Sequence, residues 1–584
     1  MFFFKNSIVA ICVFLCAQAL VWADVANAQQ PQEEIKITIS DTAGKAILNA
    51  SAYWFANRKT KKLSVSDEGQ VTVASATGVV VVQSEGYQCG GLVLRNKTPD
   101  ELRDALITLR TPSQPGRALK TLPVPVDVQQ RKKIVQEVID LHWTQLKSDP
   151  KDLSNQMTCS KLLAVLDPKG LNEYVDSGAI KGRANGMVKR FLIKAIAKSD
   201  TELAIEVADS VKDPMGRSSL LSVLLRDLPA DSPFVEAVEE QFIETIKSIS
   251  QPAFRYAIWS SLGEHYVHSG QRELADKIVD EHLAEVKKLT SGGWAAFPKS
   301  LFAALLVEKD SDLALKMIKG STGHERARAM GRLAFHCCLT KPELAIELLG
   351  KIEHSDRTIN SAENRIKVAY RMVGTQTDSA FQVAASIDES NQQAWAWGVI
   401  ASKLNDSDPA RAKKALENAI QALTVEKPGR EAATHFSIPA TLAALMPIAE
   451  KVAPEKIESM MWQSVWLTVP KSRWNMGGPS RASKRQSVAA ALSRYDRELA
   501  GALMGDTEVV IGSDPTRSAV SQLVLDAKGI SEFMDRLNNG AQFSAAFQPR
   551  AAVAQMLSGS DEKLWNEVST PELMQWPTVR FEED

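Results

Sequence analysis

Thr111-Pro-Ser-Gln-Pro-Gly-Arg-Ala-Leu-Lys-Thr-Leu-Pro-Val-Pro-Val126 decides how this chain is read. Pro112, Pro115, Pro123 and Pro125 remove backbone donors and fix φ, so the stretch predicts a semi-extended linker. Apolar residues follow different periods on its two sides. Upstream they alternate with the period of two that marks strands; downstream they recur at helical spacing almost to the end. The expected fold class is therefore multidomain. A small all-β sandwich over 35–111 is followed by the linker at 112–126 and a large all-α helical-repeat solenoid over 127–584.

In the upstream module Ile35, Ile37 and Ile39 alternate with polar residues, and Asp41–Lys45 supplies a turn with Gly44. Val71 and Val73 alternate after Asp67-Glu68-Gly69, and Val79–Val82 reads as a short buried strand. Leu92 and Leu94, then Leu106 and Leu109, offer the last strands. Short strands at this spacing, punctuated by Gly and Asp, predict a small antiparallel sandwich. Asp41-Thr-Ala-Gly-Lys-Ala-Ile-Leu-Asn-Ala50, Ser66-Asp-Glu-Gly69 and the strand ending in Gly86-Tyr87 together resemble the carboxypeptidase regulatory-like (transthyretin-like) β-sandwich. Gln70 and Val71 depart from that pattern, standing where an aromatic often follows the hairpin glycine. The resemblance implies an accessory role in stability, adhesion or partner docking, with no catalytic residues in this module.

At the N-terminus Lys5 precedes the almost wholly apolar Ser7–Val21, and Ala26-Asn27-Ala28 has the small-x-small form that signal peptidase cuts. This predicts a signal peptide over 1–28, cleaved after Ala28, and a short tail at 29–34. The mature chain is then expected to be secreted, or periplasmic and envelope-associated. The apolar run is shorter than the roughly 20 residues of a spanning helix. No later stretch is long enough, so no transmembrane segment is expected after cleavage. A formal net charge of −1 gives no general attraction to nucleic acid and excludes that partner class. Beyond the signal stand Cys89, Cys159, Cys337 and Cys338. Pairing of Cys89 with Cys159 stays open, and adjacent Cys337 and Cys338 are expected on different faces of a helix.

Downstream of the linker, Leu-Ala pairs recur at Leu203-Ala204, Leu274-Ala275, Leu313-Ala314, Leu344-Ala345 and Leu499-Ala500, with looser copies at Ala380 and Ala412. Ala204 to Ala275 spans 71 residues, two steps of about 35, and the next steps are 39, 31, 35 and 32. Steps of this size indicate a two-helix unit that must stack on its neighbours to bury its apolar face. Trp259, Leu262, Gly263, Tyr266 and Ala275 fall at the tetratricopeptide spacing, with Gly270 in the turn, and Gly263 is expected to let the second helix approach. The array resembles a divergent tetratricopeptide or HEAT-type α-solenoid. A Gly/Pro-containing basic loop at 468–486 interrupts it, and Ser487–Met504 resumes as an amphipathic helix.

Few side chains carry chemistry. His265 and His268 flank Tyr266, but packing explains that helix, and zinc needs further ligands. His282 and Glu285 form a bare His-x-x-Glu pair at a position where a repeat helix is expected. His336-Cys337-Cys338 are consecutive and cannot converge on one ion from a regular helix. Trp395 and Trp397, two apart, are expected to face differently, with at least one at the surface. Trp462 and Trp466, four apart, share a helical face; with Arg473, Trp474 and Arg481 of the basic loop they form the candidate ligand groove. No catalytic elbow, phosphate loop, dinucleotide loop or His-Glu-x-x-His motif occurs.

These readings converge on an exported, non-catalytic scaffold that binds a protein or peptide through its helical surface, with no cofactor, no metal and no catalytic residues. The alternative is a polysaccharide lyase or glycosidase with an α/α-toroid catalytic region, for which polysaccharide would be the partner. A repeat step of about 35 residues favours the open array.

Overall fold

In the computed structural model the chain divides into two units between Pro115 and Gly116. The structure describes residues 34–504 except 57–58, 95–96, 120–135, 198, 230, 290–295, 322, 353–358, 425–437, 469–487 and scattered positions within 137–152 and 490–494. Residues 1–28, where a signal peptide is expected, and nearly all of the stretch expected as a basic loop lie outside the described residues.

The first unit holds β1 (Ile35–Asp41), β2 (Ser51–Ala56), β3 (Lys59–Leu63), β4 (Gln70–Val73), β5 (Val79–Gln83), β6 (Gly90–Val93), α1 (Pro99–Leu102) and β7 (Leu106–Leu109). Two sheets, ordered β4-β1-β7 and β3-β2-β5-β6, face each other. Ile37, Ile39, Val71, Val73, Ile107 and Leu109 of one pack on Ala52, Val80 and Val82 of the other. The alternation read from the sequence is the inward-facing set of each strand. Val79–Val82 is buried throughout, as its unbroken apolar run requires.

The sheet is not wholly antiparallel. β7 runs parallel to β1, Thr38 opposite Leu106 through Asp41 opposite Leu109. The chain reaches β7 from β6 in the other sheet through α1, and that crossover delivers it alongside β1 in the same direction. A capping box starts α1: Thr98 Oγ1 accepts the Glu101 N–H at 3.3 Å, and Glu101 Oε2 accepts the Thr98 N–H at 2.7 Å. β2 and β3 escape a period-two reading because Ser-Ala-Tyr-Trp-Phe-Ala is nearly all apolar and Lys-Thr-Lys-Lys-Leu nearly all polar. The edge position of β3 explains its lysines, which discourage pairing with another chain.

The second unit is an array of helical hairpins. Its helices are α2 (Leu153–Leu166), α3 (Pro168–Asp176), α4 (Arg183–Ile196), α5 (Thr201–Asp209), α6 (Pro214–Asp227), α7 (Val235–Lys247), α8 (Pro252–His268) and α9 (Arg272–Lys288). They continue as α10 (Ala296–Leu306), α11 (Ser311–Ile318), α12 (Gly323–Cys337), α13 (Pro342–Gly350), α14 (Ile359–Met372), α15 (Thr377–Ala385), α16 (Ser390–Leu404) and α17 (Pro409–Thr424). The last are α18 (Ile438–Ala444), α19 (Met446–Val452), α20 (Ile457–Trp466) and α21 (Arg497–Met504). From α2 to α17 each even-numbered helix packs on the odd-numbered helix after it and on the next even-numbered one. The even-numbered helices thus form one continuous layer, the repeat stacking that the sequence predicts.

One turn builds most of these hairpins. The N–H of Asp167, Asp200, Asp310, Lys341, Gln376, Asp408 and Asp496 donates to the carbonyl four residues back, on the preceding helix (on the helical residue Leu492 for Asp496), at 2.7–2.8 Å. The carbonyl of each then accepts the N–H of the fourth residue of the helix that follows, at 2.9–3.1 Å. Where the turn residue is Asp, its side chain also caps the new helix, as Asp310 Oδ1 does for the Leu313 N–H at 3.0 Å. The fourth residues are Leu171, Ala204, Ala314, Ala345, Ala380, Ala412 and Ala500, all at 0% exposure. Ala275 takes the same place in α9, after a turn one residue longer that Gly270 permits with φ +75°.

The alanine is the constant anchor, whereas the leucine before it ranges from 40% exposed at Leu274 to fully buried at Leu499. Val238, fourth in α7 and fully buried, supplies the step missing between Ala204 and Ala275. Two contacts differ from expectation. A Cβ on Gly263 would lie 2.5 Å from Leu305 Cδ1, so that glycine admits α10 of the next hairpin, not its own partner α9. The expected helix over Ser487–Met504 is broken at Tyr495-Asp496, where Asp496 caps α21.

Candidate functional site

Trp462 and Trp466 lie on α20 and are buried, at 9% and 8% exposure. Arg473, Trp474 and Arg481 lie outside the described residues. Trp395 and Trp397 are both buried, at 5% and 6%, which corrects the expectation that one reaches the surface. Neighbours on several sides (α14, α15, α17, α18 and α19) cover α16 nearly all round. Trp397 meets Phe381 edge to face at 5.0 Å.

His265, His282 and His336 are engaged by neighbouring rings and carboxylates. His265 Nε2 lies 3.1 Å from Glu239 Oε1, and the Tyr266 hydroxyl donates to Glu239 Oε2 at 3.5 Å. Burial, with Glu239 beside it, pushes the Tyr266 hydroxyl up to about 12. The His268 side chain lies outside the described residues. His282 stacks on Trp259 at 4.8 Å and stands 5.8 Å from Tyr256, while Glu285 accepts from Lys288 Nζ at 2.7 Å. The His-x-x-Glu pair is thus split between two different neighbourhoods. Burial holds the His282 imidazole below its ordinary value, with Arg255 adding to the shift and Glu281 opposing it.

His336, Cys337 and Cys338 are all buried on α12, with His336 Nε2 4.0 Å from Glu264 Oε1. No disulfide joins Cys89, Cys159, Cys337 and Cys338, all of which are buried thiols. Among the described residues no three His, Cys, Asp or Glu side chains gather as a metal site requires.

A different constellation emerges on the layer of even-numbered helices. Arg332 of α12 sits over the Phe297 ring of α10 at 5.3 Å, Arg371 of α14 over Phe335 of α12 at 4.6 Å, and Lys403 of α16 over Tyr370 of α14 at 4.3 Å. Each cation comes from one hairpin and each ring from the hairpin before it. Backbone and hydroxyl groups fix two of them further: Arg332 Nη1 donates to Ser300 Oγ at 3.3 Å, and Arg371 Nη1 to the Phe335 carbonyl at 3.1 Å. Helical spacing explains the alignment. In α12, Arg328, Arg332 and Phe335 stand four and three apart and keep solvent contact, while Met330, Leu333, Ala334 and Cys337 are buried. In α14, Lys367, Tyr370 and Arg371 are half-buried, against buried Ile366, Val368, Ala369 and Met372.

The signal for this row was present in the sequence, as cations recurring near aromatics at repeat spacing. Without the stacking register, however, a ring of one repeat cannot be matched to a cation of the next.

No family model matches the chain, and neither the curated proteins nor the solved structures contain a match.

Proposed function

We propose that this chain is an exported, non-catalytic scaffold that binds a protein or peptide across its layer of even-numbered helices, with the β-sandwich as an accessory module. The row Phe297–Arg332, Phe335–Arg371 and Tyr370–Lys403 carries the reading. It places one oriented cation per hairpin on neighbouring rigid helices, and pre-organised side chains lose little entropy on binding. Export is supported by Lys5, the apolar Ser7–Val21 and Ala26-Asn27-Ala28. The accessory role follows the resemblance of residues 41–87 to the carboxypeptidase regulatory-like sandwich. The tetratricopeptide or HEAT-like resemblance of the array, and its repeat step, favour surface recognition over a closed toroid. Trp462, Trp466, Arg473, Trp474 and Arg481 remain the proposed second contact region.

Capture with the mature chain, residues 29–584, from envelope extract tests the proposal. A saturable protein partner that is lost from the double variant Arg371→Gln/Lys403→Gln is the expected result. Retention of polysaccharide with no protein partner would replace this reading with the toroid lyase or glycosidase. Mass determination of the exported chain checks that it begins at Gln29.

A further inference from the structure

We infer that the face carrying Arg332, Arg371 and Lys403 takes an acidic, extended peptide segment of a partner; this rests on the reading that the face binds a peptide. Charge is divided unequally between the two helix layers. The even-numbered helices α10, α12, α14 and α16 carry Lys299, Arg326, Arg328, Arg332, Arg365, Lys367, Arg371 and Lys403 against only Glu325 and Glu363. The intervening helices α11, α13 and α15 carry Asp312, Glu343, Glu347 and Asp378 against Lys316 alone. Over these seven helices of a chain of net charge −1, the cations are thus concentrated on one layer. Clustered positive charge of this kind attracts and orients an anionic partner.

The geometry favours a peptide over a glycan. Packed helices lie about 8–10 Å apart, and an extended peptide rises about 3.3 Å per residue. One carboxylate at every third residue therefore keeps step with one cation per hairpin. Guanidinium forks receive carboxylates in a bidentate manner, and each Arg has donors beyond the one that anchors it to Ser300 or to the Phe335 carbonyl. A sugar ring would instead need an aromatic face to stack on. Phe297, Phe335 and Tyr370 each already present a face to a cation.

The test is fluorescence anisotropy of labelled decaglutamate with the mature chain 29–584, at low and high salt. Polygalacturonate and decaglutamine serve as competitors. Saturable binding of decaglutamate that weakens with salt and resists decaglutamine is expected. Arg371→Gln and Lys403→Gln should each weaken it about tenfold, the loss of one charge-assisted contact. Exposed Arg328→Glu, on the same face of α12 but outside the cation–π row, should also weaken it, and it guards against a folding defect in the other two. Lys316→Glu, exposed on α11 in the other layer, should leave it unchanged. Absence of decaglutamate binding, insensitivity to all three face variants, or tighter binding of polygalacturonate would each overturn the inference. If capture still yields a protein partner while decaglutamate fails to bind, the scaffold reading stands and the acidic-peptide inference falls.

Discussion

Arg371 is tied twice to one residue of the neighbouring hairpin: its guanidinium lies 4.6 Å from the Phe335 ring centroid, and its Nη1 donates to the Phe335 carbonyl oxygen at 3.1 Å. A lysine has no planar fork with which to do both. Arg371→Lys should therefore lower stability by about 1 kcal/mol, and Arg371→Ala by about 2 kcal/mol. Urea titration of the three proteins, read at a common slope, checks this. Equal stabilities would show that the pair holds nothing together.

The anchor alanines should tolerate no growth. Ala345 is fully buried at the fourth position of α13, where its N–H bonds the Lys341 carbonyl at 3.1 Å. Ala345→Leu should cost about 1–3 kcal/mol by overpacking. Leu274→Ser, one residue before an anchor but 40% exposed, should stay within about 0.5 kcal/mol of the parent. Hydrogen exchange across α12–α13 and α8–α9 measures both.

In the sandwich, Gly78 has φ +90°, and a Cβ there would lie 1.8 Å from the Phe55 carbonyl oxygen on the neighbouring strand. Gly78→Ala must move backbone as well as occupy a left-handed conformation, so it should cost about 3 kcal/mol or more. Gly44 shares the positive φ but has nothing within 4 Å of that Cβ. Gly44→Ala should cost only about 1 kcal/mol. Protection of β2 and β5 in hydrogen exchange separates the two variants; similar losses would mean that the clash relaxes away.

Burial pushes the thiols of Cys89 and Cys337 up to about 12 and that of Cys338 up to about 11, from an ordinary 9.0. The folded protein then keeps protons that the unfolded chain gives up. This contribution to stability is full below about 9 and is lost as pH rises toward 11–12. Dithionitrobenzoate at pH 8 should label these three thiols only after urea unfolding. Rapid labelling of the folded chain would contradict the burial.

For His282 the sign is opposite. Its folded value lies below the ordinary 6.5, so the unfolded chain binds the proton first, and stability is lost as pH falls through 6.5 and below. His282→Phe keeps the stack on Trp259 and removes the titration. Its melting temperature should fall less than the parent's between neutral and mildly acidic pH. Parallel curves would assign the acid sensitivity elsewhere.

Several structural features were legible because short-range physics sets them. Alternation at Ile35, Ile37 and Ile39, and at Val71 and Val73, marks inward faces irrespective of topology. Leu-Ala pairs mark the second helix of several hairpins because a small, fully buried residue stands where that helix packs on the first. Val238 was missed because it fills that place without a Leu-Ala pair, as Leu171 does in α3. The parallel pairing of β1 with β7 was missed because strand direction depends on a crossover, not on periodicity.

By itself the sequence determined that strands precede helices, where the proline-rich stretch divides them, and that the helices come in stacked pairs with alanine at the contact. Local period, proline chemistry and side-chain volume suffice for that. Only the tertiary structure decided which ring lies under which cation and which helix Gly263 admits, and that both Trp395 and Trp397 are enclosed. Those relations join residues of different hairpins, or depend on how many neighbours surround one helix. Their register is set by how the repeats stack, which no single repeat encodes.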